Sequence, residues 1–403
     1  MIKRELYLSK IRKFYDSDLV KIITGVRRSG KSVLLNQIIE ELREKKVSKG
    51  NIIYINFENL EYAGLTDVKK LDKYVKNKIT NKKKYYIFFD EIQNVKKFEL
   101  AVNSLRATQN ASIFITGSNS KLLSGELATH LTGRYIGFFM MPFTFKEVYE
   151  YSKCKYENRE DCFQKYIEWG GMPQIYNLND VSEYKPYLED LYNSIVFKDI
   201  VERAGVKDIN LLNRIMQFVI ENIGGIFSVN SIRKFLKSED LTVRSEKIYN
   251  YIDVITASLI INRANRYNIR GKKVIQFYEK YYLADLGLAQ LKRSSFEKSS
   301  GSRLENIVYN ELLARGYKVY VGDIANGEID FIAQNFDDKI YIQVSQFLSD
   351  KKIIKREFGA FGAVKDNYPK YILSLDKINF SQDGIKHFNL VDWLLGKVNF
   401  LSA

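Results

Sequence analysis

The stretch TGVRRSGKSVLL at residues 24–35 decides the fold of this chain. Gly25 is followed, after four residues, by Gly30, Lys31 and Ser32, which is the spacing of a phosphate-binding loop. Glycines let the backbone curl so that its N–H groups converge on phosphate oxygens, and the helix that follows directs its positive end at the same oxygens. An apolar, β-branched run precedes the loop and apolar residues at helical spacing follow it. The pattern therefore predicts strand, loop and helix in that order.

The chemistry of this loop predicts ATP and Mg²⁺ as its ligands. Lys31 carries a mobile positive charge suited to the terminal phosphates, and the hydroxyl of Ser32 suits Mg²⁺. Arg27 and Arg28 are open to three interpretations, since each could face phosphate, a neighbouring subunit or solvent. The residues that we expect around the nucleotide are Gly25, Arg28, Ser29, Gly30, Lys31, Ser32 and Val33.

Hydrolysis requires acidic groups, and the segment KYYIFFDEIQ (84–93) supplies them at the end of a second apolar strand. Asp90 stands where the carboxyl end of that strand would place it in the Mg²⁺ shell. Glu91 follows directly and is placed to polarise a water molecule for in-line attack. We therefore predict a hydrolytic site in which Asp90 holds the metal and Glu91 activates water.

Two later segments add candidate catalytic residues. A further strand ends in TGSNS (116–120), where Ser118 or Asn119 could reach the γ-phosphate or the attacking water, and a helix cap or turn is the alternative. We take Asn119 as the candidate. In LTGRY (131–135), Arg134 could stabilise charge on the transferring phosphoryl group, a role often filled from a neighbouring subunit. A solvated or structural arginine is the alternative there.

The motifs GVRRSGKS, FFDEIQ, ITGSNSKLLS, LTGRY and WGGMP occur in this order along the chain. Together they resemble the AAA-type P-loop ATPases of bacteria and archaea that carry a distinctive C-terminal extension. The resemblance covers essentially the whole chain. It implies an ATPase domain, a helical and winged-helix middle, and a C-terminal restriction-endonuclease-like fold. It also implies that Asp90 and Glu91 are the acidic pair, with the polar strand-end position near Asn119. Arg134 would then act in trans.

The predicted fold class is α/β, a P-loop NTPase with a parallel sheet of the AAA type. Continuous apolar strands that alternate with helical segments over the first 150 residues predict the parallel sheet, and the resemblance implies the AAA type. A helical and aromatic stretch follows, then three helices with a ribbon, then a small α/β unit. The expected domains are 1–150 (AAA-type ATPase), 151–205 (helical lid or linker), 206–297 (winged helix) and 298–403 (restriction-endonuclease-like, degenerate).

Three helical signals followed by two strand-like runs outline a winged helix. Basic side chains on its third helix and at the ribbon tip suit contacts with phosphates, which position a protein on DNA without reading its sequence. A winged helix used only for protein contacts is the alternative. The candidate DNA contacts are Arg244, Lys247, Arg266, Arg270, Lys272 and Lys273.

Acidic and polar residues near the C-terminal end follow the order of the PD-(D/E)xK nuclease core. Glu305 lies on a predicted helix, Asp330 on a strand, and Gln343 and Ser345 on one face of the next strand. Metal-dependent cleavage of a phosphodiester requires oxygen ligands for the metal and a lysine that stabilises the nucleophile. The sequence here offers neither the carboxylate nor the lysine of the E-x-K motif. We therefore expect a degenerate site kept for binding or assembly, with the nearest substitute lysines at 351, 352 and 355.

Composition bounds the remaining possibilities. The 403 residues include 63 Lys and Arg against 48 Asp and Glu, and the resulting charge of +15 suits a polyanionic partner. Two cysteines and two histidines cannot build a disulfide framework and make a structural zinc site improbable. We expect a cytoplasmic protein that binds DNA, with other proteins as a second class of partner, no membrane partner, and a homo-oligomer when ATP is bound. Two alternatives stay open: a nucleotide-switched signalling or scaffold protein, and an ATP-regulated, metal-dependent nuclease.

Overall fold

The computed structural model describes residues 2–123, 131, 133–152, 158–292, 300–324, 327–336 and 338–400. The chain divides into two compact units. The first comprises Met1–Met140 with Ala257–Leu259, and the second comprises Met141–Thr256 with Ile260–Ala403. Each unit contains its own β-sheet.

The first unit is built on a five-stranded parallel sheet. Its spatial order is β2-β3-β4-β1-β5, so one strand, β4, separates the strand before the phosphate loop from the strand that carries the acidic pair. Three of the strands are buried along their whole length, as expected when helices cover both faces. The predicted α/β fold with a parallel P-loop sheet is confirmed. The strands are β1 (Val20–Thr24), β2 (Ile52–Asn56), β3 (Tyr85–Asp90), β4 (Ala111–Gly117) and β5 (Tyr135–Phe139).

In the first unit, α1 precedes β1, and α2, α3 and α4 each connect one strand to the next strand in the sequence, from β1 to β4. The apolar core includes Ile22, Ile55, Phe89 and Ile115, all fully buried. The helices are α1 (Glu5–Ile11), α2 (Lys31–Glu44), α3 (Val68–Lys78) and α4 (Phe98–Thr108).

The second unit begins with helices. A π-helical segment, Ile195–Glu202, continues the third of them. No helix in the described ranges has the length and apolar character needed to cross a bilayer. The helices are α5 (Phe145–Ser152), α6 (Arg159–Trp169), α7 (Val181–Ser194), α8 (Ile209–Glu221), α9 (Val229–Ser238), α10 (Ser245–Ala257), α11 (Ser300–Arg315), α12 (Lys351–Ala360) and α13 (Leu390–Leu394).

A seven-stranded mixed sheet forms the rest of the second unit, in the order β12-β11-β10-β9-β8-β6-β7. Its apolar core includes Ile329, Ile332, Tyr341 and Ile372. The strands are β6 (Ile261–Asn268), β7 (Lys273–Leu283), β8 (Lys318–Ile324), β9 (Gly327–Asn335), β10 (Asp338–Val344), β11 (Lys370–Ser374) and β12 (Ile385–Asn389).

The two-stranded ribbon after α10 is part of this sheet. β6 pairs antiparallel with β7 on one side and parallel with β8 on the other. Pairing with β8 satisfies backbone groups that a free ribbon edge would leave exposed. Helices α8 to α10 and this ribbon lie where the sequence predicts a winged helix. The sheet, however, runs continuously across the predicted boundary between residues 297 and 298, and the domain assignment stays a prediction.

Candidate active site

The loop between β1 and α2 has the tight backbone that phosphate binding requires. Gly30 (φ 101°) and Arg28 (φ 66°) both adopt left-handed conformations just before α2 begins at Lys31. A Cβ on Gly25 would lie 2.2 Å from the carbonyl oxygen of Met140, so only glycine fits at this position. The loop therefore folds closely against the end of β5 and leads directly into the positive end of α2.

The side chains of the loop suit a polyanionic ligand. The hydroxyl of Ser29 is buried and has no hydrogen-bond partner among the described residues, so it has a donor to offer. Ser32 and Val33 are half-buried in the first turn of α2, and Arg28 is exposed. Hydroxyl and carboxylate oxygens, such as those of Ser32 and Asp90, are ligands that Mg²⁺ accepts. A glycine-only cradle, an unsatisfied buried hydroxyl and hard oxygen donors together fit ATP with Mg²⁺.

Lys31 is buried beneath the loop. Its Nζ atom lies 3.1 Å from the carbonyl oxygen of Gly25 and 3.3 Å from that of Val26. The same atom lies 3.4 Å from Oε1 of Glu91. The cation is thus held between the phosphate loop and the acidic pair, although these are 60 residues apart in the chain, at 31 and 91.

Asp90 is completely buried at the carboxyl end of β3. The hydroxyl of Tyr54, on the neighbouring strand β2, donates to its Oδ2 atom over 2.8 Å. The hydroxyl of Thr116, on β4, donates to its Oδ1 atom. Burial, together with the Asp90 carboxylate, raises the pKa of Tyr54 above its ordinary value, so this phenol stays a donor. Two neighbouring strands therefore fix the orientation of the carboxylate.

Glu91 adopts a left-handed conformation (φ 54°), which turns the chain out of β3. Its backbone N–H donates to Thr116 Oγ1 over 2.9 Å, and the amide of Gln93 donates to its carboxylate. Burial alone would raise the pKa of Glu91, but the Lys31 ammonium and the Gln93 amide outweigh it and hold the pKa below its usual value. The carboxylate is therefore ionised at neutral pH, as a group that accepts a proton must be.

Asn119 and Arg134 lie at opposite edges of the sheet. Asn119 is buried just after β4, at the carboxyl edge, where β1 and β3 flank that strand. Arg134 is exposed and directly precedes β5, whose first residue, Tyr135, pairs with Val20 at the start of β1. A five-residue strand spans about 15 Å, so Arg134 lies far from the phosphate loop of its own chain.

Four further residues contact the phosphate loop or the acidic pair and were not predicted from the sequence. They are Tyr54, Thr116, Gln93 and Arg4. The guanidinium of Arg4 is buried and donates to the carbonyl oxygen of Ser29 over 3.1 Å, supporting the loop from the N-terminal side. The contacts of Tyr54 and Thr116 depend on strand order, which no local pattern reveals. Gln93 lies only two residues after Glu91, so of the four it is the one that closeness in the sequence could have suggested.

Comparison with protein families adds an independent observation. Residues 17–149 match the family model described as an AAA domain, and residues 160–297 match a domain of unknown function. An uncharacterized protein of Haemophilus influenzae is 37% identical over 98% of this chain and 99% of its own length. An uncharacterized protein of Methanocaldococcus jannaschii is 32% identical over 89% of this chain and 80% of its own length. The chain belongs to the family of these two proteins. Its N-terminal part is an AAA domain of the P-loop ATPase type.

Solved structures resemble this family member more distantly. The Orc1 protein of Aeropyrum pernix, solved in complex with DNA, gives a TM-score of 0.34 at 13% identity, covering 73% of this chain and 93% of Orc1. Cdc6p of Pyrobaculum aerophilum gives a TM-score of 0.30 at 11% identity, covering 76% of this chain and 93% of Cdc6p. TM-scores and identities this low do not indicate a shared function.

Beyond the AAA domain, the structure brings two of the candidate nuclease-site residues, Asp330 and Gln343, into direct contact. Asp330 on β9 donates its backbone N–H to Gln343 Oε1 on β10 over 2.6 Å, and its carboxylate accepts from the N–H of Val344. The Gln343 amide in turn donates to Glu357 over 3.0 Å. Ser345 is not part of this network, because its hydroxyl donates to the carbonyl oxygen of Phe347 instead.

A lysine from the ribbon occupies the centre of this acidic cluster. Lys280 on β7 is buried, and its Nζ atom lies 2.6 Å from Glu328 and 3.3 Å from Glu305. Burial would lower the pKa of Lys280, but the surrounding carboxylates raise it above its ordinary value, so the cation persists. Burial, reinforced by the Glu305 carboxylate, raises the pKa of Asp330 well above its usual range. Over the described ranges, no three His, Cys, Asp or Glu side chains are grouped to hold a metal.

The six candidate DNA contacts divide into two groups. Lys247 pairs with Asp208 at 2.9 Å, and Arg266, which is mostly buried, pairs with Asp323 at 2.7 Å. These two cations are therefore partly neutralised by neighbouring carboxylates. The other four are exposed at the start of α10 or around the turn between β6 and β7, namely Arg244, Arg270, Lys272 and Lys273.

Proposed function

We propose that this protein is a Mg²⁺-dependent ATPase that couples ATP binding and hydrolysis to a conformational change acting on DNA. The observation that carries the proposal is the convergence of Lys31, Asp90 and Glu91 at the carboxyl edge of one parallel sheet. That edge is where ligands bind in open α/β sheets. The AAA domain over residues 17–149 supports nucleotide binding at this place.

Each residue at the edge has a distinct task in the proposed reaction. The backbone N–H groups of residues 25–33 and the Lys31 ammonium would bind the phosphates. Ser32 and Asp90 would hold Mg²⁺, which neutralises charge on the phosphate oxygens. Glu91, ionised at neutral pH, would accept a proton from the attacking water, and Asn119 would orient that water or the γ-phosphate.

Arg134 would complete the site of a neighbouring subunit. Its position at the amino edge of the sheet keeps it away from the loop of its own chain, while its exposure leaves it accessible to a second copy. A cation supplied in trans stabilises charge on the transferring phosphoryl group. The protein would therefore assemble as a homo-oligomer when ATP is bound, in the cytoplasm.

DNA is the proposed partner because the chain carries a charge of +15 and because four cations are exposed around α10 and the ribbon turn. Another protein remains the alternative partner. Nuclease activity is not proposed, because Gln343 and Ser345 stand where the nuclease motif requires a carboxylate and a lysine.

Calorimetric titration of Mg²⁺ and ATP into the purified protein tests nucleotide binding. The wild type and the Lys69→Ala variant, which alters an exposed lysine on α3, should bind equally. Lys31→Ala should weaken binding by at least about tenfold, because a charge-assisted contact to phosphate is lost. Equal binding by Lys31→Ala and Lys69→Ala would contradict the assignment.

A further inference from the structure

A cavity of about 530 Å³ lies in the second unit between helices α9 and α10 and strand β7. Its volume is within the range of small-ligand sites. The start of α9, from Ser228 to Ile232, forms one wall, and Ser245, Tyr249 and Ile252 of α10 form another. All of its lining residues belong to the second unit, so the cavity is separate from the ATP site of the first unit.

An irregularity in the ribbon shapes the third wall. Ala264 pairs with Lys280 and Arg266 with Ile275, so residues 276–279 of β7 stand opposite the single residue Asn265 of β6. Tyr278, inside this bulge, has a φ of +60°, a conformation that bulky side chains rarely adopt. Bulges and such strained positions concentrate at functional sites, where they re-aim a side chain. Here the bulge presents Tyr278 at the cavity.

Two aromatic rings face solvent at the cavity. Tyr249 is 52% exposed and Tyr278 is 59% exposed, although both line it. Exposed tyrosine rings are platforms on which planar ligands stack, and stacking on them tolerates any nucleobase. The aromatic lining therefore favours a flat, unsaturated ligand over an aliphatic one.

The charges around the cavity define the ligand further. Arg266, Glu279 and Asp323 line its wall, and the Asp323 carboxylate already accepts from Arg266 over 2.7 Å and from Asn268 over 2.9 Å. The Glu279 carboxylate therefore gives the lining a net negative charge, which disfavours a phosphate in the interior, and it is the acceptor for N–H groups of a ligand. Outside, the exposed cations Arg244 and Lys273 lie next to or two residues from lining residues, on α10 and β7. An acidic interior with a basic rim matches a planar ring that bears amino groups and is carried on a polyanionic chain.

We propose that this cavity binds an unpaired base of single-stranded DNA. The base would stack on Tyr249 and Tyr278 and direct an amino group at Glu279. The flanking phosphates would contact the basic rim. Paired bases in a duplex are held in the stack and cannot enter such a site. This inference deepens the DNA partnership proposed above and rests on it, but it is independent of ATP hydrolysis.

Fluorescence anisotropy on the full chain tests the proposal with two labelled single strands of equal length. One carries bases throughout, and the other carries abasic residues at its central positions. The wild type should bind the base-bearing strand about tenfold more tightly, since stacking of one base contributes about 1–3 kcal/mol. Tyr249→Ala and Tyr278→Ala should lose most of this preference, whereas Tyr249→Phe and Tyr278→Phe should keep it because the ring remains.

Tyr368→Ala, at an exposed tyrosine elsewhere in the second unit, is the matched control and should behave as the wild type. Equal affinity of the wild type for the two strands, or an unchanged preference in both alanine variants, would overturn the cavity as a base site while leaving DNA binding intact. ATP turnover is measured in parallel without DNA. Normal turnover with no binding of either strand would overturn both the cavity and the DNA partner but not the ATPase.

Discussion

The Nζ atom of Lys31 lies 3.4 Å from Oε1 of Glu91, and both side chains are buried. This pair joins the phosphate loop to the end of β3 across the width of β4. The Lys31 cation helps to hold the pKa of Glu91 below its usual value. The pair therefore places a cation against the phosphate loop and an ionised carboxylate beside it, which is the arrangement that the proposed hydrolysis requires.

Gly25→Ala should abolish tight nucleotide binding. An added Cβ would lie 2.2 Å from the carbonyl oxygen of Met140, so the loop or the end of β5 must shift. Such a shift would misdirect the N–H groups that bind phosphate. Gly64→Ala is the control, because nothing lies within 4 Å of its added Cβ. Calorimetry with Mg²⁺ and ATP checks this, and retained affinity in Gly25→Ala would contradict the proposed contact.

Arg134→Ala should lose turnover yet regain it when mixed with Lys31→Ala. The first variant keeps an intact phosphate loop, and the second keeps an intact arginine, so a mixed assembly contains competent sites between unlike subunits. The expected loss for Arg134→Ala alone is about 10³-fold, the low end for an arginine supplied in trans. The measurement is ATP turnover of mixtures of the two variants at several ratios and total concentrations. No recovery at any ratio would argue against a shared site.

Lys280→Met should destabilise the second unit by about 3–5 kcal/mol at pH 8, because it leaves buried carboxylates without their cation. Glu328 is 2.6 Å from the ammonium, so combining Lys280→Met with Glu328→Gln should cost less than the sum of the two changes. Lys318→Met, at an exposed position on β8, should have little effect. Urea unfolding of the four variants measures the coupling, and strict additivity would show that the pair does not interact.

The free energy of unfolding should fall as the pH rises from 5 to about 7, because the native state binds a proton at Asp285. Its carboxylate accepts from the N–H groups of Gly171 and Gly287, but burial raises its pKa from 3.8 to about 7. The native state then holds a proton that the unfolded state releases above about pH 4, so the free energy of unfolding decreases until about pH 7 and is level beyond. The expected decrease, relative to Asp285→Asn, is about 3 kcal/mol. If the free energy of unfolding of the wild type and of Asp285→Asn changed with pH in the same way, this prediction would be contradicted.

The sequence predicts the local features of the ATP site well, because each depends on neighbours in the chain. The strand before Gly25, the helix from Lys31 and the strand ending at Asp90 all follow from glycine spacing and apolar runs. Tyr54 and Thr116 could not be found in this way. They contact Asp90 only because β2 and β4 flank β3, and strand order is a tertiary property.

In the C-terminal acidic cluster, too, the sequence predicts the local features and misses a residue that only the strand order brings in. The order of Glu305, Asp330 and Gln343 in the sequence indicates a shared site, and the structure places the last two in direct contact. Lysines 351, 352 and 355, just after β10, are the substitutes that lie nearest in the sequence. The cation comes instead from Lys280 on β7, because β6 pairs with β8 and draws the ribbon into the same sheet. Nothing near Lys280 in the sequence encodes that pairing.

ATP turnover and nucleotide retention by Glu91→Gln test the central claim most directly. Glutamine preserves the size of the side chain but cannot accept the proton of the attacking water. We therefore expect turnover to fall by about 100-fold or more while the protein still binds ATP and retains it unhydrolysed. Glu58→Gln, at an exposed carboxylate paired with Arg27, is the control and should turn over as the wild type does. Turnover by Glu91→Gln equal to that of the wild type would contradict the role of Glu91 and, with it, the proposed hydrolytic site.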